Sequence, residues 1–323
     1  MKISRLGFAF VVSAALAACG GGGSSGGSTG GATGGGGTPT PTPPPTTFTY
    51  TKFADVTGNV SFTNACMTFE TINGFPQWVF SQSFDDFQSI NYSSSTETWR
   101  IVYFPDSSRE QSFGPAEIVT NTAELISYQK TNPNPPADYL NIFGNQPGNV
   151  AREYTRAISY GLASGGSPVQ AFCTIGIPTD PNDIPSQATV TYTDLLFGGF
   201  VLDAVPGGNP PIASSRITGG SGTITGDIST GRLTFDMSIE VTDSQNVVRT
   251  LGPFKGTADV TVGANSAGYR GRLTYAATED VEIVGGFYGP QGTETANVFA
   301  VNVDLNNDGQ FDQLIFAGLS AKR

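Results

Sequence analysis

Arg232-Leu233-Thr234-Phe235-Asp236-Met237-Ser238-Ile239 alternates polar and apolar residues without a break. A period of two marks a strand with one buried and one solvated face. Ala188–Leu195, Gly222–Ile228, Thr257–Val262 and Tyr269–Ala276 repeat the pattern less strictly. Polar or Gly-containing segments separate them, among them Ser229-Thr230-Gly231 and Gly263-Ala264-Asn265, which are residues suited to tight turns. Strands at this spacing predict an antiparallel meander, and a meander loses its exposed edges by closing into a barrel. Eight strands make an interior that side chains fill or that holds one small ligand.

Upstream the pattern is less regular. Thr98-Trp99-Arg100-Ile101-Val102-Tyr103-Phe104 reads as a strand, whereas Ala151–Leu162 fits either a short helix or a strand. The expectation is a mainly β protein, with an irregular β-rich part over residues 48–185 and an eight-stranded antiparallel barrel over residues 187–323. Composition agrees: 42 glycines and only 13% charged residues suit many short strands joined by turns.

The first residues read differently. Lys2 and Arg5 precede an apolar run from Leu6 to Leu16, and the run ends in Leu16-Ala17-Ala18-Cys19. This is the layout of an export signal, and its end resembles the lipobox of bacterial lipoproteins. The resemblance implies that residues 1–18 are a signal peptide and that Cys19 becomes an acylated (palmitate-bearing) N-terminus. With Gly20 rather than Asp after the cysteine, it implies the outer membrane. An ordinary signal followed by a chance cysteine is the alternative. Residues 20–47 contain only Gly, Ser, Thr, Pro and one Ala. Nothing there can form a core. The Gly/Ser half suits a flexible coil and Thr38–Pro45 a stiffer polyproline II spacer, so residues 19–47 read as a tether.

Charge and missing residue types exclude several functions. A net charge of −11 argues against nucleic acid, whose phosphates need clustered Lys and Arg. The chain has no histidine, which removes Ser-His-Asp and Cys-His catalysis and His-ligated zinc or haem. No motif suggests other catalysis, so no enzyme is expected. If Cys19 carries lipid, Cys66 and Cys173 remain, and an exported chain meets an oxidising compartment. A disulfide between them would close a long loop, worth up to about 4–5 kcal/mol in the chain-entropy account.

The run Gly285-Gly286-Phe287-Tyr288-Gly289-Pro290-Gln291-Gly292-Thr293-Glu294-Thr295-Ala296-Asn297-Val298-Phe299 resembles the barrel signature of the transferrin-binding protein B and factor H-binding protein group of surface lipoproteins. That signature reads Gly-x-Phe-Tyr-Gly-Pro-x-Ala-x-Glu-x-Gly-Gly-x-Phe. Gly286, Phe287, Tyr288, Gly289, Pro290, Glu294 and Phe299 fit; Gly292 and Ala296-Asn297 depart. Residues 316–323 look like the closing strand of that group. The resemblance implies a handle-like domain before the barrel. It also implies a surface lipoprotein that captures a soluble partner, for example a metal-carrying protein handed to an outer-membrane receptor in nutrient uptake. Binding loops vary in such families, so no ligand residue carries over. The motif itself reads as structural, with Gly289-Pro290 turning the chain, Phe287 and Tyr288 bracing it, and Glu294 accepting from freed backbone N–H groups. Two other functions stay open: a barrel-interior carrier of a small molecule or haem, and an adhesive or structural surface protein.

Asp304, Asn306, Asp308, Gln310 (through its carbonyl) and Asp312, with Gly309 at the sharp turn, have the spacing of a calcium loop. Position twelve is Ile315 instead of Glu, and the flanks read as strands. A plain Asn/Asp/Gly hairpin turn is the alternative.

Overall fold

The computed structural model describes residues 47–323 apart from 73–74, 83, 85–88, 104–105, 107–108, 132–136, 146–149, 164–167, 186–188, 204–212, 228, 264–265, 276–278 and 304–312. The first sheet contains β1 (Asn59–Ile72), β2 (Phe75–Gln82), β3 (Ser89–Ser93), β4 (Thr98–Val102), β5 (Glu110–Phe113), β6 (Ile118–Asn121), β7 (Leu125–Gln129), β8 (Tyr139–Phe143), β9 (Thr155–Leu162) and β10 (Val169–Gly176). The second contains β11 (Thr189–Tyr192), β12 (Asp194–Asp203), β13 (Ala213–Asp227), β14 (Arg232–Thr242), β15 (Val248–Val262), β16 (Ala267–Tyr275), β17 (Glu279–Tyr288), β18 (Glu294–Val303) and β19 (Gln313–Lys322). Ala151–Leu162, open between helix and strand in the sequence, holds strand β9.

The second sheet is a closed barrel. Consecutive strands from β12 to β19 pair antiparallel, and β19 returns to β12 along Asp194–Asp203 opposite Lys322–Gln313. That makes the chain end the closing strand. The alternation in β14 carries over directly: Leu233, Phe235, Met237, Ile239 and Val241 point inward and are buried. Ala188–Leu195 is not one strand. It divides at Thr193 into β11, which pairs with β13, and β12, which runs along β19. At this corner Arg152 draws the Asp194 carbonyl to itself, with Nη2 donating at 2.7 Å.

The first sheet curls into a half-barrel in the order β5-β4-β3-β1-β10-β9-β8-β7-β6, with β2 attached to β1. Cys66 and Cys173 face each other on the paired strands β1 and β10 and are disulfide-bonded. Three cores result. One fills the half-barrel around Ile90, Ile101, Phe113, Leu140 and Ile158. A second fills the barrel. The third lies between the two sheets, where Ala65, Met67, Phe69 and Phe172 meet Val298, Ala300, Leu314 and Phe316. Phe69 and Phe316 rings are 4.2 Å apart there. Residues 47–323 accordingly form one compact unit.

Candidate binding site

A cavity of about 460 Å³ lies in the half-barrel. Its walls come from strands far apart in the sheet order. Phe62 ends the outer part of β1, Tyr92 and Trp99 stand opposite each other on β3 and β4, and Ile126, Tyr128, Ile142 and Arg156 come from β7, β8 and β9. Phe53, on a short 3-10 turn (Phe53–Asp55), folds back over them. Its backbone N–H donates to the Glu153 carbonyl at 2.7 Å, which fixes the turn.

Period-two alternation places these rings on the concave side, and the curl stacks them. Phe53 and Phe62 lie nearly parallel at 5.0 Å, and Phe62 and Trp99 at 5.6 Å. Tyr92 leans on Trp99 at 4.8 Å. Burial raises the Tyr128 pKa, and the neighbouring Trp99 side chain lowers it in part. The cavity is therefore a preformed aromatic floor reached from one side, with polar rim residues Glu97, Asn121 and Thr122. Arg156 forms part of the wall, its guanidinium 4.9 Å from the Phe53 ring centroid. It donates through Nη1 to the Arg152 and Thr155 carbonyls at 2.7 and 2.6 Å.

The barrel interior differs. Phe254 stacks on Tyr275 at 4.6 Å and lies 5.2 Å from Phe299, while Tyr269 is 6.0 Å from Phe235 and 5.6 Å from Phe287. Tyr269 is buried at the hydroxyl too, bonded to Thr295 at 2.8 Å, and burial pushes its pKa up to about 12. Side chains occupy this interior.

Gly286, Tyr288, Gly289 and Glu294 come together where the sheets meet, while Phe287 and Phe299 belong to the barrel interior. Alternation sends Phe287 into the barrel and Tyr288 out to the shared core. Gly289, at φ +69°, has no room for a Cβ, which would sit 2.3 Å from the Tyr154 ring. Its N–H donates to the Ile177 carbonyl at 3.0 Å, and its carbonyl accepts from the Thr179 hydroxyl at 2.7 Å. Gly286 lies under the Phe84 ring, and Phe299 faces the barrel core. Pro290 opens the short turn that ends at Gly292.

Glu294 is fully buried. It accepts from the backbone N–H groups of Glu153, Tyr154 and Thr155 at 2.6, 3.0 and 3.0 Å, and from the Thr155 hydroxyl at 3.1 Å. The donors lie at the start of β9 in the other sheet, not in the turn beside it. Arg152 makes the reciprocal reach, donating to the Asp194 carboxylate at 2.9 Å and to the Ser320 hydroxyl and carbonyl.

Comparison with solved structures finds similarity to transferrin-binding proteins. Transferrin Binding Protein B from Haemophilus parasuis Hp5, as a double mutant, is 14% identical, with a TM-score of 0.43 over 80% of this chain and 44% of that one. The isotype 1 protein from serogroup B Neisseria meningitidis gives 13% and 0.41, over 80% and 43%. HpuA from Kingella denitrificans, solved with human haemoglobin, gives 10% and 0.34, over 83% and 87%. This chain thus spans less than half of the transferrin-binding chains it matches. No protein-family model and no curated protein matches it.

Cys19 and the loop Asp304, Asn306, Asp308, Gln310 and Asp312 lie outside the described residues. Among the described residues, no group of three His, Cys, Asp or Glu side chains could hold a metal ion, and no helix is long and apolar enough to cross a membrane. Phe53, Arg152 and Arg156 were not legible as site residues in the sequence. An Arg beside a strand carries no local signal of what it will face.

Proposed function

We propose that this chain is an outer-membrane lipoprotein, held through Cys19 and displayed on the tether of residues 20–47, that captures a soluble protein partner. The observation that carries the reading is the contrast between a barrel filled with touching rings and a half-barrel that keeps an aromatic cavity open. Concave apolar sites with a few placed polar groups are where ligands bind. The lipobox, the tether and the barrel signature support display at the cell surface. A metal-carrying protein passed to an outer-membrane receptor is the partner this favours. The filled interior weighs against a barrel-interior carrier of haem or another small molecule.

Affinity capture tests the reading. Immobilised residues 47–323 would meet proteins from the growth environment, alongside a bait carrying Ile118→Arg at the cavity rim. A soluble protein retained by the first bait and lost from the second supports capture through the half-barrel. A folded bait that retains no protein overturns it.

A further inference from the structure

We propose that the half-barrel cavity seats a group with a flat apolar body and a single carboxylate, the body against the Phe53, Phe62 and Trp99 rings and the carboxylate on Arg156. The inference deepens the capture reading, resting on it for the identity of the half-barrel as the binding element. A free organic acid and the acid-bearing end of a larger partner present the same chemistry.

Three observations converge. The volume, about 460 Å³, lies within the roughly 300–1,000 Å³ of small-ligand sites. The floor is a set of three nearly parallel rings, with interplanar angles of 16–21°, in which Phe62 and Trp99 are buried and Phe53 is half-buried against them. Such a floor favours a flat apolar body by offset stacking.

The third observation concerns charge. Arg156 lines the cavity, and the bonds it makes use Nη1 on two carbonyls. Among the described residues it has no carboxylate in ion-pair contact. Burial lowers its pKa, and the one acid acting on it is Glu294. Both Glu294 oxygens already accept from Glu153, Tyr154 and Thr155. A partly buried cation without an anion is costly, and a ligand carboxylate on Nε and Nη2 would complete the guanidinium fork. Glu97 is the acidic residue of the rim. It acts on Tyr92 and Tyr128 instead of Arg156. This arrangement selects one negative group at the Arg156 end and disfavours a second at the rim.

Isothermal titration of residues 47–323 with 2-naphthoate and with neutral 2-naphthamide tests the proposal. The expected result is saturable one-to-one binding of the acid, about tenfold or more tighter than the amide, as a charge-assisted bond would give. Arg156→Met should erase the preference for the acid. Ile126→Trp, which fills the cavity and leaves the Arg156 bonds in place, should abolish binding of both and keeps the test decisive if the Arg156 variant fails to fold. No binding to the folded protein, equal binding of acid and amide, or undiminished binding to the Ile126 variant each overturns the proposal. The two readings fail separately: protein retained without naphthoate binding leaves capture standing, and the reverse leaves only the carboxylate site.

Discussion

The barrel pairs its first strand with its last, β12 with β19, over the full length of both, whereas the first sheet curls and stops, leaving β5 and β6 as outer strands. Both are antiparallel, and both bury the apolar face of alternating strands. Closure makes the difference. A closed sheet has no edge to protect and turns every inward side chain toward a neighbour. An open curl keeps a mouth, and rings near that mouth pack on each other while one side stays reachable. The same local pattern thus builds a scaffold in one half and a candidate recognition surface in the other.

Four variants test that contrast. The largest effect is expected from Phe299→Ala, which removes a ring from the barrel core and should lower stability by about 3–5 kcal/mol. Partner capture should persist in the folded fraction. Urea denaturation followed with a capture assay reads both, and a variant that stays stable would show the interior to be less filled than the ring distances indicate.

Glu294→Ala strands three backbone N–H groups and one hydroxyl at the seam between the sheets. A loss of about 3 kcal/mol is expected. Unfolding, expected in one transition for one compact unit, should also divide into two, as each sheet melts on its own core. One unchanged transition would mean that the shared apolar core alone couples the sheets.

Removing the disulfide with a Cys66→Ala, Cys173→Ala pair should cost about 2–4 kcal/mol. Both cysteines lie in the half-barrel, so hydrogen exchange should rise in β1, β9 and β10 before β14 to β16. A uniform rise would contradict a staple local to the first sheet.

The smallest effect is a pH dependence. Folding raises the Tyr269 pKa from the ordinary 10.0 to about 12. Between these values the unfolded chain gives up a proton that the folded chain keeps. Stability is therefore fully present below pH 10 and falls as pH rises toward 12, by up to about 1.4 kcal/mol per unit. Tyr269→Phe should remove its share of that slope in denaturation curves measured from pH 9 to 12, the remainder coming from other buried tyrosines such as Tyr103 and Tyr139; an unchanged slope would exclude Tyr269 as a contributor.

Much of the barrel was legible because β14 shows one face to the core and one to water, and its sequence alternates accordingly. Strand β15 is legible only in its second half, Thr257–Val262, since it begins at Val248, where the residues are exposed on both faces. β18 and β19 are buried along nearly their whole length. One face meets the barrel interior and the other meets the half-barrel, so no alternation marks them. They were found through the signature motif and the chain end instead. The half-barrel was seen only as β-rich and irregular, because its short strands and bulged pairings blur the period.

Neighbours along the chain suffice for a β protein, a regular meander after an irregular part, a Gly/Ser/Thr/Pro stretch with nothing to bury, and a chemistry without histidine. The sequence also marked Glu294 as an acceptor for backbone N–H groups. It takes the folded chain to show that those groups belong to Glu153, Tyr154 and Thr155, that the barrel interior is occupied by side chains, and that Phe53, Phe62, Trp99 and Arg156 line one cavity. The physical reason is distance along the chain. Curling and closing a sheet bring together residues separated by tens to more than a hundred positions, and no local pattern of polarity encodes which of them will meet.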